Sequence, residues 1–87
     1  MNPYQITYSK SAFSELEKLD PPFVERIFNR ISDLAKNPRP KGAIRLKGTS
    51  RKLWRLRVGD YRVIYEVSDS RHVIDIAAIR HRSEAYR

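Results

Sequence analysis

Gly59-Asp60 sits between two runs of side chains that alternate in character, and this constrains the chain more than any other stretch. Before it, Leu53, Arg55 and Arg57 interleave with Trp54, Leu56 and Val58; after it comes Tyr61–Val67. A period of two is the signature of a strand, and a two-residue loop with glycine first fits a type II′ hairpin turn. Such a loop sets the register. Val58 then faces Tyr61, Leu56 faces Val63 and Trp54 faces Tyr65, all on one apolar side. The other side carries Arg57 opposite Arg62, with Arg55 two residues along the same strand.

The remaining segments supply what this hairpin must pack against. Tyr4–Tyr8 alternates apolar and polar residues as a short strand, and Ser9 offers an N-cap. Ala12, Phe13, Leu16 and Leu19 trace one helical stripe. Asp20-Pro21-Pro22 stops that helix and starts a second one. Its stripe runs through Phe23, Val24, Ile27, Phe28, Ile31, Leu34 and Ala35 until Asn37-Pro38-Arg39-Pro40. Residues 39–51 read as an extended loop with a short strand within Ala43–Lys47. Ser68–Arg71 makes a second turn, and His72–Ile79 is a third, apolar strand. At 87 residues the chain is one domain, spanning 1–87. The order predicts an α+β fold: a sheet with an N-terminal strand, packed on a helical hairpin.

Composition narrows the function classes. There is no apolar run of about 18 residues to span a membrane, and Met1–Ile6 lacks the pattern of a secretion signal, which points to the cytoplasm. Cysteine is absent and the two histidines are isolated, which argues against a metal site. Eighteen Lys+Arg stand against ten Asp+Glu, a net charge of +8. Residues 1–38 are balanced, five against five, so the whole excess lies in 39–87, with thirteen basic and five acidic side chains. That asymmetry suits a polyanion or an acidic protein partner; the rival reading is a generally basic, soluble surface.

The Arg57–Arg62 pair favours the first. Like charges opposite one another cost a sheet about 0.2–1 kcal/mol. A bound phosphate reverses that sign, and the planar guanidinium fork suits phosphate contact. Trp54, Tyr61 and Tyr65 belong with the core, and the charge-balanced helices read as scaffold. Lys41, Arg45, Lys47, Arg51 and Lys52 extend the basic surface, with Arg45, Lys47, Arg51 and Lys52 the candidate RNA contacts, or are simply solvated. Arg80, His81 and Arg82 emerge where the last strand ends. Tyr86 either stacks on a base, handles a proton, or packs over a sheet edge. His72 reads as a surface residue beside a turn.

Two stretches, Leu53–Tyr65 and Arg80–Arg87, together resemble the RelE/ParE superfamily of bacterial toxins, and its RelE-like branch in particular. The resemblance covers nearly the whole chain. It implies the RelE-like fold, a helical hairpin on a small twisted antiparallel sheet. It further implies the toxin of a type II toxin–antitoxin pair, a ribosome-dependent endoribonuclease cutting messenger RNA in the 30S A site without metal or cofactor. Its partners would be the ribosome, mRNA and a cognate acidic antitoxin that wraps around it, with operator DNA met only through the antitoxin complex.

By the same resemblance, Arg62 handles the scissile phosphate, and Arg80 or Arg82 supplies a further arginine. Arg55 and Arg57 stand where relatives often carry lysine, and Tyr86 matches a tyrosine that stacks on or acts beside the reacting nucleotide. Arginine stays protonated and is a poor acid. His81 or a water is therefore the candidate donor to the leaving oxygen. Two alternatives are a ParE-like gyrase poison on the same fold, against which Arg62 and Tyr86 argue, and a basic nucleic-acid-binding module without chemistry.

Overall fold

The chain runs β1 (Gln5–Tyr8), α1 (Lys10–Glu17), α2 (Pro21–Leu34), β2 (Ile44–Arg45), β3 (Leu53–Val58), β4 (Tyr61–Ser68) and β5 (Val73–His81). These elements come from a computed structural model that describes residues 2–48 and 50–83. The β3–β4 hairpin has the expected register, with Trp54 opposite Tyr65, Leu56 opposite Val63, Val58 opposite Tyr61 and Arg57 opposite Arg62. Gly59 takes a positive φ of 61°, as the first position of a type II′ turn requires.

The five strands form one sheet in the order β1-β5-β4-β3-β2. It is mixed, not wholly antiparallel as expected, because β1 joins β5 in parallel. The helical hairpin carries the chain from β1 back over one face, so β1 and β5 can run the same way. Two helices on one face of a five-stranded sheet make the α+β fold anticipated from the sequence.

The core lies between that face and the helices. Ala12, Ile27, Ile31 and Leu34 come from the helical side. Leu56, Val58, Val63, Tyr65, Val67, Ile74, Ile76 and Ile79 come from the sheet. Each large aliphatic side chain buried this way contributes about 1.5–3 kcal/mol. Tyr65 is fully buried, and its hydroxyl donates to the Pro38 carbonyl at 2.7 Å. Burial pushes its phenol up to about 12. The helical stripes are only partly covered: Phe13 and Phe28, placed on them by periodicity, are more than half exposed.

Ser9 caps α1 by accepting from the Ala12 N–H at 3.0 Å, and it also donates to the Ala77 carbonyl at 2.8 Å. Ala77 is where the β4–β5 ladder slips. Ile64 pairs with Ala78 but Tyr65 pairs with Ile76, which leaves Ala77 as the extra residue of a β-bulge. Before the bulge, Ile74 and Ile76 point to the core; after it, Ile79 does. The slip reverses the side on which every later residue of β5 stands.

Candidate functional site

The sheet face away from the helices holds the predicted arginines. β4 is central, with β3 on one side and β5 on the other. Arg62 therefore pairs with Arg57 across one ladder and with Arg80 across the other. Strands lie about 4.8 Å apart, so three guanidinium-bearing residues share a strip about 10 Å wide. The bulge is what brings Arg80 into this row. Strict alternation from Asp75 would have turned Arg80 toward the helices and His81 outward.

Arg82 follows the strand in a turn, where its N–H donates to the Asp60 carbonyl at 2.7 Å. Its Nε lies 3.9 Å from Asp60 Oδ1. Of the two candidate terminal arginines, Arg80 pairs with Arg62 in the row, and Arg82 lies in the turn beyond it. Arg62 is more deeply buried than strand alternation alone would suggest, at 5% exposed. Arg57 is exposed.

The next row across the same face contains Arg55, opposite Ile64, which in turn pairs with Ala78. One cation here stands beside an apolar floor that can lie against a sugar or a base.

His81 does not join the arginines. It pairs with Tyr61, its ring meets the Tyr61 ring edge-on at 5.3 Å, and its Nδ1 shares a 2.9 Å hydrogen bond with Ser83 Oγ. The register places it on the side opposite Arg62 and Arg80. Tyr86 lies outside the described residues. Among those described, no three His, Asp or Glu side chains come together as a metal set.

The loop cations gather elsewhere. Arg51 Nη2 lies 3.0 Å from Glu66 Oε1 and 4.0 Å from Asp75 Oδ2. Glu66 and Asp75 face each other across β4 and β5, and Thr7 donates to Asp75 at 2.8 Å. Glu66 is four residues from Arg62, about 13 Å along the strand. The open face is therefore polar along its length, arginines at the hairpin end and carboxylates at the other.

Arg45, Arg51 and Lys52 line a recess of 650 Å³ at that second end, with Arg39, Trp54 and Asp69. Lys47 is exposed beyond it. Arg39 stands over the Trp54 ring at 5.5 Å and binds Asp69 through Nη2–Oδ2 at 2.7 Å. Tyr4 donates to the same carboxylate at 2.7 Å. The Arg39 and Tyr4 hydrogen bonds hold the Asp69 carboxyl below the usual range. Sequence reasoning missed Arg39, whose signal was its place between two prolines next to the hairpin.

Comparison with known proteins shows which family the chain belongs to. Residues 6–86 match the family model described as ParE toxin of the type II toxin–antitoxin system, parDE. Toxin RelE of Mycobacterium tuberculosis is 33% identical over 90 residues, covering 99% of this chain and 89% of that protein. A putative toxin RelE1 of Methanocaldococcus jannaschii is 32% identical, covering 97% of this chain and 96% of its own length. In structure, the chain resembles one in the archaeal RelE–RelB complex from Pyrococcus horikoshii, with a TM-score of 0.81 and 32% identity. That match covers 92% of this chain and 96% of the other.

Proposed function

We propose that this chain, which belongs to the RelE/ParE superfamily of type II toxin–antitoxin toxins and is RelE-like, is a ribosome-dependent endoribonuclease that cuts messenger RNA in the A site. The observation that carries this reading is the row Arg57–Arg62–Arg80, with Arg62 95% buried between two like charges. Two like-charged neighbours cost the fold about 0.2–1 kcal/mol each. A bound phosphate turns both into attraction.

In this reaction the RNA 2′-oxygen attacks the adjacent phosphorus and the bond to the 5′-oxygen breaks. The products are a 2′,3′-cyclic phosphate and a 5′-hydroxyl. Charge builds on the non-bridging oxygens in the transition state, where Arg62 and Arg80 stabilise it and Arg57 closes the strip from the exposed side. Arg55 holds the neighbouring nucleotide over Ile64 and Ala78. Ribosomal positioning of the message supplies the in-line geometry. A guanidinium is a poor proton donor, so the 2′-hydroxyl gives its proton to water and the leaving 5′-oxygen takes one from water or from Tyr86. The partner is an acidic antitoxin that covers the same cations, and its complex, not the free toxin, meets operator DNA. The protein works in the cytoplasm; among the described residues no helix is long and apolar enough to cross a membrane.

Arg62→Ala tests the assignment. Cleavage of A-site mRNA on purified ribosomes should fall by at least 100-fold, the usual weight of one charge-stabilising group. Antitoxin binding, spread over a larger surface, should stay within about tenfold and shows that the variant folds. Undiminished cleavage contradicts the assignment. Gyrase-dependent DNA breaks without RNA cleavage point instead to the ParE-like reading.

A further inference from the structure

Around the tip of the β3–β4 hairpin, on the side away from the arginine row, lies a recess of 280 Å³ lined by Phe23, Arg26, Val58, Gly59, Asp60 and Tyr61. Phe23 and Arg26 stand three residues apart on α2, the spacing that puts two side chains on one helix face. Phe23 is 41% exposed, so the core does not absorb its ring. Its ring meets Tyr61 at 5.7 Å with 54° between planes, an open wedge, and Tyr61 meets His81 edge-on. The three rings form a ladder from α2 to the last residue of β5. Arg26 completes the site. A Cβ built on Gly59 would lie 3.3 Å from Arg26 Nη1, so the guanidinium rests against the glycine tip of the hairpin that carries Arg57 and Arg62.

A cation beside an exposed ring, next to a phosphate-binding row, is the arrangement by which single-stranded nucleic acid is held: stacking for the base, charge for the backbone. The recess is at the small end of ligand sites, about 300–1,000 Å³, and suits one planar ring better than a larger molecule. The Val58–Tyr61 pair lies about 3.4 Å along the strands from Arg57–Arg62, so a strand leaving the row over the hairpin tip reaches Arg26 next.

We infer that the Phe23–Tyr61 recess is a second nucleotide site, taking the base of a nucleotide flanking the cleaved bond while Arg26 binds its phosphate. This rests on reading the arginine row as an RNA-phosphate site. It makes part of α2, scaffold by its charge balance, a substrate contact.

A 2′-O-methyl oligoribonucleotide, which cannot be cleaved by 2′-hydroxyl attack, tests the site when 2-aminopurine replaces each base in turn. With the wild-type protein, fluorescence should be quenched on binding at one position of the series. Phe23→Leu keeps apolar volume but removes the ring; it should abolish that quench and weaken binding by about 5–150-fold, the weight of one base–aromatic stack. Arg26→Gln should keep the quench and reduce the salt dependence of log affinity by about 0.7, one phosphate on a single strand. Unchanged quench and affinity in Phe23→Leu overturn the inference, as does wild-type binding with no quench at any position. Ribosome cleavage assayed in parallel separates the two readings. Wild-type cleavage without a quench removes the recess alone; a quench lost in Phe23→Leu without wild-type cleavage removes only the nuclease reading.

Discussion

Arg62 combines charge, burial and like-charged neighbours on both flanking strands. Half of this was legible in the sequence. The hairpin register followed from a two-residue turn, and with it the Arg57–Arg62 pair. The burial did not follow, because alternation gives the face a side chain stands on and not how far that face is covered. Tyr65 shows the opposite balance: its parity placed it in the core, where it is fully buried. Tyr65→Phe should cost about 0.5–1.5 kcal/mol through loss of the hydrogen bond to Pro38, measured by chemical denaturation. Its pH dependence follows from the same burial. A phenol raised from about 10 to about 12 contributes stability fully present below 10, which is lost as pH rises through 12. The alkaline decline in thermal midpoint should therefore be shallower in Tyr65→Phe than in wild type.

Among the elements, β5 decides the site. Its apolar residues step by two from Ile74 to Ile76, then by three to Ile79. That change of spacing was the available signal of the bulge, and it settles which terminal arginine joins the row. Ser9 holds the bulge from outside the sheet, donating to the Ala77 carbonyl while it caps α1. Ser9→Ala should lower stability by about 0.5–2 kcal/mol, the range for a lost N-cap, and reduce cleavage further than that loss of folded protein explains. Ser9→Thr, which keeps the hydroxyl, should restore both; cleavage that tracks folded fraction alone in Ser9→Ala would show that the bulge stands without it. The helices were read correctly as elements but not as surfaces. A stripe gives the face that is apolar, not the width the sheet covers, so Phe13 and Phe28 lie outside the core. The parallel placement of β1 was likewise illegible, since four alternating residues carry no information about their partner strand.

For the whole molecule, the net charge of +8 resolves into an oriented surface. Arginines occupy the hairpin end of the open face, Glu66 and Asp75 the other, and the loop cations gather at a separate recess with Arg39 and Trp54. On the proposed function, an acidic antitoxin and the message would compete for the same row, and inhibition would need no movement of the fold. The central claim, cleavage of translated RNA, is tested most directly by mapping 5′-hydroxyl RNA ends in cells after the protein is induced without its antitoxin. The account predicts new ends in phase with codons inside translated frames, absent when Arg62→Ala is induced instead. Intact messages accompanied by chromosomal breaks would contradict it.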